Sequence, residues 1–366
     1  MKICFVGLDN LPVLAPEFGG QCNGGEQVQQ TLLAKAFARK RHDVSMVVYD
    51  YGQADLATWD GITTYKTHRE NDGIPVFRFI HPRWTTLWAA LRRTNADIYY
   101  TSCAGMHLGL LAMFCKRYGK EFVFRVAHDF DCDPKKLLIQ YWRDKKLYEY
   151  GLRRVNGILV QSVQQQRAML KNYGLKSEIA EMLVDTPKQE VSRDADVLWV
   201  NNLRQFKRPD LFLNLAKKLP HIKFHMVGGP LPGFRELFEA VRSEASQIPN
   251  LTFHGSVPYH DMDEKYASAS VFVNTSDSEG FPNSYLQAWI RGTPVVAFFD
   301  PDKVIQKNGI GYAVSTLDEM ADAVSKLVED KNQWNVVSRR SQAYMSDVHA
   351  ENRIIRPYLD MFERLT

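Results

Sequence analysis

Residues 271–290, VFVNTSDSEGFPNSYLQAWI, combine a short apolar run, a polar turn and the start of a helical pattern. Val271–Thr275 has the length and composition of a buried strand. Pro282 suits the first turn of a helix, where its missing N–H group is not required. The backbone N–H groups of Asn283 and Ser284 then lie at the helix N-terminus, which attracts phosphate. The stretch therefore predicts a strand, a loop and a helix with an anion-binding start.

The alternation of strand and helix patterns continues on both sides of this stretch. Further apolar runs of strand length are Ile3–Leu8, Val44–Tyr49, Ile98–Thr101, Phe122–Ala127, Ile158–Gln161, Val197–Val200, Phe224–Val227 and Leu251–His254. Segments with a helical period are Glu26–Arg41, Leu108–Arg117, Pro209–Lys218 and Phe234–Ser246. Such alternation is typical of doubly wound α/β folds, in which helices cover both faces of a mostly parallel sheet.

The pattern starts again after a polar segment, Asp185–Asp194, which predicts a linker. A chain of 366 residues is also too long for one ordinary core. We predict one domain over residues 1–185, a second over 186–350, and a terminal helix over 351–366 that folds back onto the first. Ligands bind beyond the carboxyl ends of strands in open parallel sheets, so the site is expected in a cleft between the domains.

Composition excludes several classes of protein. The five cysteines are scattered and include no Cys-x-x-Cys, which argues against a disulfide framework or a zinc site and fits a reducing cytoplasm. No stretch approaches the roughly 20 apolar residues of a membrane span. Residues 1–185 carry 25 Lys and Arg against 19 Asp and Glu, a net charge of +6. This excess suits an anionic surface and is too weakly clustered for nucleic acid.

Two aromatic and basic segments of the first domain bear on membrane contact. Trp84–Arg93 and Lys135–Arg154 are both amphipathic. They fit peripheral attachment at the inner face of a membrane, where lipid-linked acceptors are found. Ordinary helix packing with basic outer faces is the simpler explanation, in which Tyr141, Trp142, Leu147 and Tyr150 belong to the core.

Polar residues around residues 279–287 carry the chemistry. Glu279 lies just before the predicted helix, where a carboxylate can accept hydrogen bonds from sugar hydroxyls. Gln287 lies about two turns later, and its amide can bind a second polyol such as a ribose. For Glu279 alone, a capped helix without a ligand is an equally simple explanation.

The string E-G-F-P-N-S-Y-L-Q-A closely resembles E-G-F-P-N-x-x-x-E-A, the signature of the retaining GT-B glycosyltransferases of family four. The resemblance implies two Rossmann-like domains facing a cleft, with the acceptor on the N-terminal side and the donor nucleotide on the C-terminal side. It assigns Glu279 to the sugar, and places Gly280, Phe281, Pro282, Asn283 and Ser284 at the donor diphosphate. Gln287 replaces the second Glu of the signature, which binds the ribose in the family.

Other segments support the same resemblance. Asn201–Lys207 resembles the family's G-R-L-x-x-x-K, whose Arg and Lys hold the diphosphate. Lys207 matches the family Lys, Asn202 stands in the place of the Arg, and Arg204 can supply donors two residues later. Gly228 follows a predicted strand as in the family's V-G-x-G, and Val257 belongs to the loop whose backbone receives the base.

The first domain contributes two further candidates. Gly25 resembles the family glycine that lets the backbone approach the donor phosphate, and it also fits a plain helix-entry turn. His128 ends a predicted strand, as does the family His that lines the cleft near the transferred sugar. Asp129, Asp131 and Asp133 repeat the D-x-D pattern of metal-dependent GT-A enzymes. We discount that pattern because the GT-B resemblance implies a metal-independent reaction.

The sequence thus predicts transfer of a sugar from a nucleoside-diphosphate sugar, with UDP or GDP as the expected carrier, to a hydroxyl group with retention of configuration. The acceptor is a glycan, a lipid-linked acceptor or a small molecule. One alternative is a non-catalytic sugar-nucleotide-binding protein, because Asn202 and Gln287 replace charged donor ligands. Another is a GT-B sugar-nucleotide epimerase. A nicotinamide dehydrogenase is disfavoured, since no G-x-G-x-x-G follows the first strand.

Overall fold

The computed structural model describes residues 1–18, 24–75, 77–187, 193, 196–231 and 233–366. Contacts divide the chain into two compact units. The first contains residues 1–18, 26–183 and 351–366. The second contains residues 184–350 together with a short stretch that ends at Gly25. Most of the predicted linker Asp185–Asp194 lies outside the described residues.

The first unit is built on a sheet of eight strands. They are β1 (Lys2–Val6), β2 (Asp43–Val48), β3 (Thr58–Trp59), β4 (Ile62–Lys66), β5 (Ile98–Ser102), β6 (Glu121–Arg125), β7 (Gly157–Val160) and β8 (Glu178–Ile179). Their order is β3-β4-β2-β1-β5-β6-β7-β8. Within the described residues every pairing is parallel except β3 with β4. The carboxyl ends of β1, β5 and β6 therefore meet at one edge.

Helices connect these strands. They are α1 (Leu11–Leu14), α2 (Gly25–Arg39), α3 (Thr85–Thr94), α4 (Met106–Tyr118), α5 (Trp142–Leu152) and α6 (Val163–Tyr173). A short 3₁₀ turn, Asp129–Cys132, follows β6 and precedes α5. Helices α4 and α5 pack very closely at Gly109. A Cβ added there would lie 2.5 Å from the Leu147 carbonyl oxygen, so only glycine fits.

The second unit repeats the architecture with six strands. They are β9 (Asp196–Val200), β10 (Phe224–Val227), β11 (Leu251–Gly255), β12 (Ala269–Asn274), β13 (Val295–Ala297) and β14 (Gly311–Ala313). All their pairings are parallel across the described residues, in the order β11-β10-β9-β12-β13-β14. The strand order thus reverses between β9 and β12, which is where doubly wound sheets bind ligands.

Seven helices of the second unit are described. They are α7 (Pro209–Lys218), α8 (Arg235–Ala245), α9 (Met262–Ser268), α10 (Asn283–Ile290), α11 (Val304–Asn308), α12 (Leu317–Glu329) and α13 (Lys331–Val348). The core between sheet and helices contains the fully buried rings of Trp199, Phe212 and Phe224. Trp199 stacks on Phe212 with ring centroids 5.9 Å apart, and Phe212 meets Phe224 edge to face at 5.6 Å.

The last helix, α14 (Glu351–Leu365), packs on the first unit. Its buried side chains recur at helical spacing and are Ile354, Ile355, Tyr358, Met361 and Phe362. Phe362 stacks on Phe37 of α2 at 5.3 Å, and Tyr358 contacts the ring of Tyr100 in β5. The first unit is therefore assembled from both ends of the chain.

The structure confirms the predicted fold class of two doubly wound α/β domains with parallel sheets. Two local expectations were wrong. Pro282 is extended at the N-cap, with φ −69° and ψ 120°, so α10 begins one residue later at Asn283. The amphipathic stretch Lys135–Arg154 is helical only over Trp142–Leu152.

Candidate functional site

The loops after β9 and β12 are joined by hydrogen bonds at the point where the strand order reverses. The backbone N–H of Asp277 donates to the Phe206 carbonyl at 2.8 Å. Thr275 Oγ1 donates to the Lys207 carbonyl at 2.8 Å and accepts from Trp199 Nε1 at 2.9 Å. Because the indole is fully buried, this chain of bonds anchors both loops to the core.

Lys207 and Glu279, predicted from separate motifs, meet between these loops. The ammonium of Lys207 forms an ion pair with Glu279 Oε2. The other carboxylate oxygen, Oε1, accepts from Ser276 Oγ at 2.6 Å and from Asn274 Nδ2 at 3.3 Å. Glu279 is buried and Lys207 is half-buried, so the pair is only weakly screened by water. The arrangement places a cation and a fixed hydrogen-bond acceptor at the carboxyl end of the sheet.

The N-terminus of α10 lies directly after this pair in the chain. Its first turn carries no acidic side chain, so the positive end of the helix dipole is not neutralised by its own sequence. Gly280 and Pro282 are buried, whereas Phe281, Asn283 and Ser284 are partly accessible. The amide of Asn283 donates to the Gly25 carbonyl at 2.5 Å. This hydrogen bond places Gly25 next to the start of α10. Gly25 and Asn283 also belong to the same compact unit.

Gln287 is buried, and its amide oxygen accepts a hydrogen bond from Arg291 Nη1 at 2.9 Å. Arg291 Nη1 also donates to the Gln287 carbonyl at 2.8 Å, and Nη2 pairs with Asp263 of α9. The predicted ribose contact therefore shares its oxygen with a buried guanidinium. Sequence reasoning overlooked Arg291 and Asp263, although Arg291 follows Gln287 by four positions, a spacing that brings helical side chains together.

The remaining donor-side candidates lie on neighbouring loops. Arg204 has its guanidinium 6.0 Å from the ring centroids of both Phe206 and Phe234, so it extends toward the start of α8. Asn202 and Val257 are half-buried on the loops after β9 and β11.

Gly228 follows β10 where the ends of three strands converge. Its N–H donates to the Gly255 carbonyl at 2.9 Å. A Cβ added at Gly228 would lie 2.6 Å from the Asn201 carbonyl oxygen, which is closer than real Cβ contacts allow. Glycine is therefore required here by close packing of backbone against backbone.

His128 belongs to the first unit and caps the 3₁₀ turn after β6. Its Nδ1 accepts from the Phe130 N–H at 3.1 Å, so the neutral imidazole carries its proton on Nε2. The Asp131 carboxylate accepts from the N–H groups of Ala127 and His128 at 3.0 and 3.1 Å. Burial raises the pKa of Asp131 to about 6, although these backbone hydrogen bonds oppose the increase.

The three carboxylates of the D-x-D pattern serve different partners. Asp129 accepts from Gln164 and Gln165 at 3.3 and 3.0 Å, whereas Asp131 holds the backbone before it. Asp133 accepts from the N–H of Lys135 at 2.9 Å. Among the residues that the structure describes, no group of three His, Cys, Asp or Glu could hold a metal ion.

Two family models match the two halves of the chain. The model described as "Glycosyltransferase Family 4" matches residues 23–183, and "Glycosyl transferases group 1" matches residues 194–330. The chain belongs to glycosyltransferase family four. The loops after β9 and β12 and helix α10 of this family-four glycosyltransferase lie within the second match.

Curated relatives share part of their length with this family-four glycosyltransferase. The O-antigen biosynthesis glycosyltransferase WbnH of Escherichia coli is 31% identical over 143 residues, which span 37% of this chain and 38% of the relative. The alpha-galactosylglucosyldiacylglycerol synthase of Streptococcus pneumoniae is 28% identical over 171 residues, spanning 46% and 45% of the two chains. The matched stretch thus spans less than half the length of each relative.

Solved structures match over the whole length and show the GT-B fold. The Anabaena protein Alr3699/HepE, solved with UDP and glucose, has a TM-score of 0.76 and 14% identity, with both chains fully covered. Sucrose-phosphate synthase from Thermosynechococcus elongatus has a TM-score of 0.77 and 16% identity, covering 99% of this chain and 98% of that one. In the described part of the family-four chain, no helix is long and apolar enough to cross a membrane.

Proposed function

We propose that this glycosyltransferase moves a hexose-type sugar from a nucleoside-diphosphate sugar to an acceptor hydroxyl, with retention of configuration and without a metal ion. The observation that carries the proposal is the Lys207–Glu279 pair, which lies at the reversal of strand order and immediately before α10. A diphosphate needs compensation of negative charge, and a sugar needs a fixed acceptor for its hydroxyls. These residues supply both requirements within one pair of loops.

The proposed roles follow from chemistry. Lys207 and the N-terminus of α10 bind the diphosphate and stabilise the charge that develops on it as the sugar leaves. Arg204, Asn202 and Gly25 extend the phosphate contacts, and Gly228 and Val257 lie near the base. Glu279 accepts from sugar hydroxyls while Ser276 and Asn274 fix its orientation.

For the transfer step we propose attack from the face that the diphosphate leaves. The acceptor C–O bond forms as the bond from the anomeric carbon to the phosphate oxygen breaks, and that phosphate oxygen takes the proton of the acceptor hydroxyl. His128 contacts the sugar or the incoming hydroxyl through its Nε2–H, since Nδ1 is used by Phe130. Catalysis then depends mainly on positioning and on charge stabilisation. UDP is the first nucleotide to test, because the solved HepE complex contains UDP.

A non-catalytic sugar-nucleotide-binding protein is the second candidate. Its support is the oxygen of Gln287, which is already hydrogen-bonded to Arg291, together with Asn202 in place of an arginine. Such a protein would bind a nucleotide tightly and transfer nothing.

A thermal-shift screen over UDP-, GDP- and ADP-sugars tests donor binding, and product analysis with and without acceptors tests transfer. We expect one nucleotide class to raise the unfolding temperature in proportion to the logarithm of its concentration. Lys207→Ala and Glu279→Gln should each lower transfer about a hundredfold or more, because both remove groups that stabilise the transition state.

Lys217→Ala is the matched control, because Lys217 of α7 is exposed and forms an ion pair with the exposed Glu244 of α8. Transfer at the wild-type rate in Lys207→Ala or Glu279→Gln would refute the site. Binding without turnover across a broad acceptor panel would favour the second candidate. Conversion of the donor sugar without acceptor would instead indicate an epimerase.

We further propose that the acceptor is lipid-linked and that the first unit contacts a membrane surface. Six exposed apolar side chains form what we call the apolar–basic patch: Ile74, Phe77, Ile80, Leu138, Tyr141 and Trp142. Trp142 is 80% exposed and Ile74 is 71% exposed, so the core does not account for them. The guanidinium of Arg143 lies 3.7 Å from the centroid of the Phe79 ring and joins the two segments that carry the patch.

The charge around the patch is predominantly positive. Residues 74–84 and 134–146 together contain seven Lys and Arg and a single Asp, whereas the whole chain is only +4. Apolar and aromatic side chains surrounded by cations favour an anionic bilayer surface, where rings insert and cations contact headgroups. Of the four residues that the sequence offered as core, Tyr141 and Trp142 are exposed, whereas Leu147 and Tyr150 are partly buried and Tyr150 packs against the core.

Sedimentation with vesicles of phosphatidylcholine and phosphatidylglycerol tests this contact. The full chain should bind vesicles that contain anionic lipid and should be released by salt. Trp142→Ala combined with Phe77→Ala should weaken binding at least about tenfold, since two exposed rings that would insert into the bilayer are lost. Leu170→Ala, at an exposed apolar position on α6, should leave binding unchanged. Equal binding of all three proteins would refute the patch.

A further inference from the structure

A buried ionic cluster lies at the carboxyl ends of β5 and β6, outside the donor-side loops. Arg125, the last residue of β6, is only 1% exposed. Glu26 of α2, Tyr100 of β5 and Tyr358 of α14 face its guanidinium, which can donate toward the hydroxyl oxygen of Tyr358. A buried cation of this kind is tolerated only where an anion or hydrogen bonds compensate it.

The carboxylate of Glu26 supplies that compensation. Its Oε1 accepts a hydrogen bond from Ser102 Oγ at the end of β5. Within the described ranges, the buried atoms Glu26 Oε2, Arg125 Nε and Arg125 Nη2 have no hydrogen-bond partner. The two groups therefore interact mainly through their charges. Burial raises the pKa of Glu26 to about 7. The positive charge of Arg125 opposes this increase, and the negative charge of Asp131 adds to it.

The cluster is continuous with the turn that carries His128. Arg125 precedes Ala127 and His128 by two and three positions, and Asp131 holds the N–H groups of both residues. On the other side, Ser102 Oγ accepts from Gln30 Nε2 at 3.4 Å, which extends the polar contacts along α2. Glu26 itself directly follows Gly25 in the first turn of α2. The half-buried Glu26 thus bonds Ser102 at the end of β5 and faces Arg125 at the end of β6.

We propose that Glu26 is a positioning residue for transfer, whose ionised carboxylate fixes Arg125 and, through Arg125, the turn that carries His128. The inference rests on the proposed function of this family-four member. Protonation of Glu26 removes the negative charge that faces the guanidinium, so Arg125 is no longer held in one orientation, although burial favours the neutral carboxyl group itself. Arg125, Asp131, Tyr100 and Tyr358 are the charged or titratable groups that face Glu26.

The same carboxylate lowers stability in its ionised form. Because the pKa of Glu26 is raised in the folded state, the protonated form of Glu26 stabilises the fold. This contribution is complete below the unfolded pKa of 4.5 and is lost as the pH rises through about 7. Glu26→Gln cannot ionise and keeps the stability at high pH. At pH 8 we therefore expect Glu26→Gln to unfold at a higher temperature than the wild type, with the difference vanishing toward pH 4.5. A purely structural role predicts the opposite, a parallel loss of stability and activity.

The kinetic experiment measures transfer from pH 5.5 to 9 for the wild type, Glu26→Gln, Glu26→Asp and the control Glu121→Gln at the far end of β6. Wild-type kcat should rise with pH with a midpoint near 7. Glu26→Gln should have a kcat at least about tenfold lower at pH 8, with no such rise and with the donor KM within about threefold, since only positioning is lost. Glu26→Asp should restore the pH-dependent rise, and Glu121→Gln should match the wild type. A wild-type pH profile and kcat in Glu26→Gln would overturn the inference.

Hydrogen exchange separates this inference from the proposed function. At pH 8, backbone amides of residues 126–133 should exchange faster in Glu26→Gln than in the wild type, whereas those of residues 283–290 should be unchanged. If no donor supports transfer by the wild type, the proposed function fails while this exchange difference still supports the positioning of the turn. Equal exchange of residues 126–133 in both proteins would overturn the inference whatever the activity.

Discussion

Lys207 and Glu279 lie 72 positions apart in sequence and form one ion pair at the candidate site. Each belongs to a different loop, and each loop follows one of the two strands between which the strand order reverses. Glu279 keeps two further hydrogen bonds from Ser276 and Asn274, so its carboxylate is oriented even without the lysine. The ammonium of Lys207 pairs with Glu279 and also lies 5.3 Å from the centroid of the Phe206 ring.

A double-mutant cycle on this pair measures the coupling. Lys207→Ala leaves a buried carboxylate without its cation and should lower the free energy of unfolding by about 3 kcal/mol. Glu279→Gln should cost less, because Lys207 is half-buried and can reach water. The double variant should be more stable than the sum of the single effects predicts. Urea unfolding of the four proteins tests this, and strictly additive effects would show that the two charges do not interact.

At the scale of elements, the sequence predicted long periodic segments well and short ones poorly. The helix Pro209–Lys218 has the predicted bounds, and the last helix, Glu351–Leu365, ends one residue before the predicted 366. The strands Val295–Ala297 and Gly311–Ala313 were not predicted. Three residues are too few for a periodic pattern, and such strands form because the sheet beside them already exists.

The candidate site was predictable as a set of residues but not as a set of contacts. Motif resemblance selected Lys207 and Glu279, yet nothing in the spacing showed that they pair with each other. It also gave no sign that the Gln287 oxygen binds Arg291, or that Trp142 is exposed. These properties depend on which loops lie next to each other in the folded unit, and no local propensity encodes them.

Within α10, replacing Gln287 with the glutamate of the family signature tests the ribose contact. Arg291 Nη1 can donate to a carboxylate oxygen as it does to the amide oxygen, so the stability should change by no more than about 0.5 kcal/mol. The second oxygen would then offer a charged acceptor to ribose hydroxyls. We expect Gln287→Glu to lower the donor Kd about threefold to tenfold, because charge-assisted hydrogen bonds are the stronger ones.

Calorimetric titration of the donor into Gln287→Glu, with Gln306→Glu on α11 as a control, measures this change. Gln306 is exposed, so its replacement alters the net charge equally without touching α10. An unchanged or weaker donor affinity in Gln287→Glu would indicate that residue 287 does not contact the ribose.

At the scale of the whole molecule, the first unit is discontinuous in sequence, since residues 351–366 complete a core begun by residues 1–183. The five buried side chains of α14 cover one stripe of the helix, and its opposite face is charged. Full burial of such side chains contributes about 1.5–3 kcal/mol each, which together is comparable to the whole stability of a domain. The buried side chains of α14 are therefore expected to contribute a large share of the stability of the first unit.

Phe362→Ala tests this dependence with the smallest change. The ring of Phe362 is fully buried and stacks on Phe37, so its loss should lower the free energy of unfolding by about 3–5 kcal/mol. Hydrogen exchange should become faster in β1, α2 and β5, which form the core beneath α14, and should remain unchanged in β9, β10 and β12. Arg356→Ala, an exposed position on the same helix, should alter neither quantity. If exchange in β1 and α2 were unaffected by Phe362→Ala, α14 would be an accessory to the first unit rather than part of its core.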